Sequence, residues 1–132
     1  MKKLLVLVFL AVPIASADDD PFADVFFPPE LVMQHQQTLN LTEEQKALLR
    51  SEVKKAQTRF TDLQWQMQDE MQRLSSLTHE AVPNEEKILA QLDKVLSLER
   101  EIKRTHVTLV VRMKRALSPE QQRHLAQLRK SG

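Results

Sequence analysis

The only glycine in this chain is Gly132, its last residue. Glycine is the default residue where a tight turn needs positive φ, so a chain without internal glycine is poorly equipped for a β-rich fold. A glycine-rich phosphate loop is excluded on the same ground. Helices need no such residue, and the hydrophobic spacing points to them. The apolar positions Leu49, Val53, Ala56, Phe60, Leu63, Met67, Met71 and Leu74 recur every three or four residues, with no proline among them. They predict one helix from Thr42 to about Leu77, a rod of roughly 54 Å at 1.5 Å per residue.

A second stripe runs through Ile88, Leu92, Val95, Glu99, Ile102, His106, Leu109 and Met113. Between the two, Thr78 to Pro83 breaks the helix, because Val82 precedes a proline and is pushed out of the α region. Asn84 caps the second rod, with Glu85 and Glu86 suited to the positive end of its dipole. A shorter helix is expected from Pro29 to Leu39, stopped by Asn40 and presenting Leu31, His35 and Leu39 on one face. A last one is expected after Pro119, through Leu125 and Leu128. Ahead of these, Asp20 and Pro21 are suited to start a single turn through the apolar cluster Phe22, Val25, Phe26 and Phe27. The fold class is therefore all-α: a long antiparallel helical hairpin with short flanking helices. Such a hairpin covers itself poorly, so a second copy is expected to pack on it as a symmetric homodimer.

The first 17 residues read as a cleaved signal peptide. Lys2 and Lys3 precede an apolar run from Leu4 to Ile14, and Ala15-Ser16-Ala17 supplies small residues for cleavage. The run is too short to span a bilayer as a helix. Residues 18–40 then form an N-terminal tail and short helix, and residues 41–132 the hairpin with its last helix, all in one domain. Without Lys2 and Lys3 the chain has seventeen basic and eighteen acidic residues, so no overall field favours nucleic acid. An exported chain without cysteine has neither a disulfide framework nor thiol chemistry. The compartment implied is the periplasm.

Both the first rod and the last helix open on the pattern Leu-[Ser/Thr]-x-Glu-Gln: Leu41-Thr42-Glu43-Glu44-Gln45 and Leu117-Ser118-Pro119-Glu120-Gln121. The hydroxyl of Thr42 or Ser118 is placed to accept from a first-turn N–H. Gln45 or Gln121, three residues on, is placed to reach back to the cap's own N–H, which makes a capping box. Pro119 fits the first helical position. Leu41 and Leu117 are expected to plug the core at each helix start.

Leader, missing cysteine, paired rods and doubled motif together resemble the Spy/CpxP family of small periplasmic stress proteins. The first copy matches LTxxQ in full, and the second has Ser118 in place of threonine. The resemblance implies a cradle-shaped dimer of bent hairpins. It implies an ATP-independent chaperone or stress modulator that binds unfolded periplasmic proteins or a membrane sensor and requires no cofactor. A related branch contains heavy-metal sensors and zinc-resistance proteins. Carried onto this chain, that branch implies His35, Glu52 and His106 as ligands for zinc, cobalt, nickel or copper. Leu31 and Leu39 stand where a second histidine would pair with His35, and Val110 stands where a methionine would follow His106.

Candidate binding residues follow from the helical pattern. Trp65 sits about 200° around the helix from Leu63, off the apolar stripe, as a partner anchor would. Met67 and Met71 supply flexible thioethers suited to varied clients. Arg104, Arg112 and Arg115 belong to a basic run in the last third of the chain, attractive to acidic segments. His79 and His124 read as surface residues. Nothing in the sequence arranges a nucleophile with its base, and no HExxH is present, so an enzyme is not expected.

Overall fold

The computed structural model describes Phe22 and residues 24–131; the leader, the acidic tail and the proposed cap Asp20 lie outside the described residues. Four helices follow: α1 (Pro29–Gln34), α2 (Glu43–Thr78), α3 (Glu85–Ala116) and α4 (Pro119–Ser131). No strand occurs among the described residues. The two rods α2 and α3 pack along each other as the hairpin, and α1 packs against α4. Both long helices and α4 fall within a residue or two of the boundaries their stripes and caps predict. None of the four is long and apolar enough to cross a membrane.

One boundary differs. The first short helix ends at Gln34, and residues 35–40 continue as hydrogen-bonded turns. Leu39 N donates to His35 O at 2.9 Å, Asn40 N to Gln37 O at 3.1 Å and Leu41 N to Gln36 O at 3.3 Å. Asn40 has φ 54°, the left-handed conformation that asparagine tolerates better than most residues and that ends a helix. The stop is therefore where it was expected, but the chain reaches it through tightened turns.

The core is lopsided. Phe27, Val32, Leu39, Leu41, Leu49, Ala56, Leu109, Met113, Leu117 and Leu125 form one cluster at the end where all four helices meet. Leu41 and Leu117 do plug this cluster, at 7% and 4% exposure. Beyond it the hairpin is two helices thick, and its buried side chains there are Leu63, Val95 and Gln91. The Gln91 amide donates to both Glu70 O (2.9 Å) and Glu70 Oε1 (2.7 Å). This pairing satisfies a buried polar group and fixes the register of the thin arm. The Gln91 hydrogen bond, helped by Arg73, holds the Glu70 carboxyl below the usual carboxylate range.

Candidate functional site

The doubled motif forms a single joint. Thr42 and Ser118 each accept from the backbone N–H of their own glutamine, at 3.0 and 3.1 Å. The oxygens of Gln45 and Gln121 accept from Thr42 N and Ser118 N, both at 2.9 Å. The two amides then face each other. Gln45 Nε2 donates to Gln121 Oε1 at 2.8 Å, and Gln121 Nε2 donates back to Gln45 Oε1 at 3.2 Å. Each amide's second donation goes to a main-chain carbonyl. Gln45 bonds Ala116 O at the end of α3 (2.9 Å), and Gln121 bonds Leu39 O after α1 (3.1 Å). Both donors and both acceptor positions of each amide are therefore used. The motif closes the base of the hairpin, where two helix starts and two helix ends meet.

Two grooves flank the seam between α2 and α3, which runs through Ala56 and Leu109. One is apolar, lined by Val53, Phe60 and Val110 opposite Phe22, Phe26 and Phe27. The other is charged, lined by Glu52, Lys55, Arg59, Glu101, Arg104 and Arg112. At 100° per residue, Phe60, Met67 and Met71 share the apolar side of α2. On α3 the same side carries the heptad row Leu89, Leu96, Lys103 and Val110. Leu89 and Leu96 are 51% and 46% exposed, whereas Val110, near the Phe22–Phe27 segment, is buried. Met67 and Met71 are half-buried.

The binding residues read from the sequence therefore divide. Met67 and Met71 lie on the apolar side. Arg104 and Arg112 line the charged groove, and Arg115 adjoins it near Leu48. Trp65 is 65% exposed and points away from the seam. The contacts Gln91–Glu70 and Arg59–Glu101 set a register that brings Trp65 level with Leu96.

The metal set His35, Glu52 and His106, carried over from the metal-binding branch, is not brought together within this single chain. Glu52 looks into the charged groove, and His106 borders the apolar one. His106 is exposed, not on a covered face, and His35 is half-buried beyond the end of α1. Glu52 is also engaged: Arg112 Nη1 lies 2.9 Å from one carboxylate oxygen, and Lys55 Nζ lies 3.5 Å from the other. The Arg112 hydrogen bond holds the Glu52 carboxyl below its ordinary range, against the upward push of burial. Two cations on one carboxylate oppose the approach of a third. Among the described residues, no three His, Asp or Glu side chains converge as a metal ion requires.

Sequence reasoning also passed over residues. Leu89 and Leu96 carried a usable signal, being seven residues apart and in heptad register with Val110. Lys114 and Arg129 belonged to the basic run, but nothing in the sequence showed that they bond main-chain carbonyls of residues 24–26.

An all-α hairpin whose two LTxxQ-type helix starts lock into one joint defines a class of small helical proteins. A family model for heavy-metal resistance matches residues 4–124; the chain belongs to that family, part of the Spy/CpxP-like LTxxQ helical group. It is a resistance and chaperone-like family without enzymes. No curated protein and no solved structure matches the chain significantly.

Proposed function

We propose that this protein is a periplasmic, ATP-independent chaperone or envelope-stress modulator of the Spy/CpxP type. It holds segments of unfolded proteins, or of a membrane sensor, on the apolar side of its hairpin. One observation carries this reading: Leu89 and Leu96 stand half-exposed in heptad register on the side that bears half-buried Met67 and Met71. Contiguous exposed apolar surface marks interaction sites. Covering the exposed half of each leucine contributes roughly 0.8–1.5 kcal/mol, which suits weak, reversible holding. Arg104, Arg112 and Arg115, across the seam, would draw acidic clients toward the rod rather than grip them. Trp65 would serve a partner approaching the outer edge, including the second copy of a homodimer.

The test is aggregation of a chemically denatured client, followed by light scattering at equimolar mature protein. Suppression is expected. Leu89→Gln/Leu96→Gln is expected to lose most of it while changing stability by no more than about 0.5 kcal/mol per site, as exposed substitutions do. Unsuppressed aggregation with the unaltered chain contradicts the proposal. The family match is equally compatible with a heavy-metal sensor or resistance protein that signals to a membrane partner.

A further inference from the structure

All the phenylalanines among the described residues line one cleft. Phe22, Phe26 and Phe27 form one wall, ahead of α1, and Phe60 stands on α2 opposite them. The Phe22 and Phe26 ring centres lie 5.8 Å apart, which makes that wall continuous. Val53, Leu109 and Val110 complete the apolar lining. The space enclosed is about 520 Å³. Small-molecule sites typically measure ~300–1,000 Å³ and combine an apolar lining with a few polar groups. The polar groups here are Glu30, Gln57, His106 and Arg129.

Rings of this cleft already take cations. Lys114 Nζ lies 5.3 Å from the Phe26 ring centre, and the Arg129 guanidinium carbon lies 4.8 Å from that of Phe27. The face of an aromatic ring is the negative end of its quadrupole, so positive charge is drawn to it. Both cations are also tied to main-chain carbonyls: Arg129 donates to Asp24 O and Phe26 O, and Lys114 to Val25 O. They brace the wall and leave the cleft open. Two further groups stand ready for a positive charge. Among the described residues, no cation lies over the Phe60 ring, and no cation lies within ion-pair distance of the exposed Glu30 carboxylate.

The chemistry of the lining narrows the ligand. A bare metal ion needs converging donor groups, and none converge among the described residues. An anion is opposed by Glu30 and by the ring faces. A cation whose charge is covered by carbon is weakly hydrated, so aromatic walls hold it well. We propose that this cleft binds a lipophilic organic cation of the quaternary-ammonium class. Its positive centre lies between the Phe60 ring and the Glu30 carboxylate, and its alkyl or aryl groups rest on Val53, Leu109 and Val110. This site is separate from the exposed Leu89 and Leu96, and it does not depend on client holding.

The probe is benzyltrimethylammonium, titrated calorimetrically into mature protein. Its neutral counterpart of similar size is N,N-dimethylbenzamide. The cation is expected to bind roughly tenfold more tightly than the amide, the combined effect of one ring face and one exposed carboxylate. Phe60→Leu keeps an apolar side chain but removes the ring face, and Glu30→Gln removes the charge. Each is expected to weaken cation binding about threefold or more while leaving the amide unchanged. Phe60→Tyr keeps the ring and should bind the cation as the natural chain does, which separates a ring-face effect from a packing effect. Equal binding of cation and amide, or no saturable cation binding at millimolar concentration, overturns the proposal. So does equal loss in Phe60→Leu and Phe60→Tyr, or unchanged cation binding in both Phe60→Leu and Glu30→Gln.

Discussion

Replacing Leu125 with alanine is expected to destabilise the protein by about 2–5 kcal/mol, the range for removing a leucine from a closed core. Leu125 is fully buried and is the residue that α4 contributes to the core interior. A 13-residue helix is marginal in isolation, so its order depends on that anchor and on the glutamine joint. The loss should be uneven along the chain. With α4 loosened, Arg129 no longer holds the carbonyls of Asp24 and Phe26, and amide exchange should accelerate in residues 24–27 and 119–131 before it does in the middle of α2. Urea unfolding gives the total, and exchange by peptide gives the distribution. A change below about 0.5 kcal/mol, or uniform acceleration, would show that α4 is not an anchored element.

The second large effect is expected at the joint. Gln45→Ala and Gln121→Ala should each cost about 1–3 kcal/mol, because each removes a cap partner and strands the other glutamine's amide. The double variant should cost clearly less than the sum of the two. The reciprocal amide bonds are shared, so the second substitution removes groups the first has already stranded. A coupling energy between about 0.5 and 3 kcal/mol from a denaturant double-mutant cycle is the expected result. Strict additivity would mean that the two capping boxes are independent and that their contact contributes nothing.

That contrast marks the limit of what was legible in the chain. The caps could be read because a capping box is local: Thr42 and Gln45, or Ser118 and Gln121, meet through one helical turn. So could the helix ends and the plugging leucines, which depend on spacing and neighbouring residue type. The second use of each amide could not, since it pairs residues 76 positions apart. Proximity of that kind arises only when α2, α3 and α4 are packed together.

The candidate site follows the same division. Met67 and Met71 lay on a readable stripe. Glu52 and His106 each lay on a plausible helical face, but their relative placement depends on which side of the seam each helix turns, and the rotation of α3 puts them apart. Arg112 read as part of a basic run, yet its guanidinium is committed to Glu52, a contact spanning 60 residues. The anchoring of residues 24–26 by Lys114 and Arg129 was the least legible. Its bonds take carbonyl oxygens, which leave no trace in side-chain identity.

The side of the hairpin bearing Met67, Met71, Leu89 and Leu96 is proposed to take up non-native polypeptide. Photo-crosslinking tests it most directly, with benzoylphenylalanine placed at Leu96 or at Arg104, exposed positions on opposite sides of the seam. Mixed with a denatured client and irradiated, the protein should capture client from position 96 and little from position 104. Equal yields from the two positions, or capture mainly from 104, would contradict it.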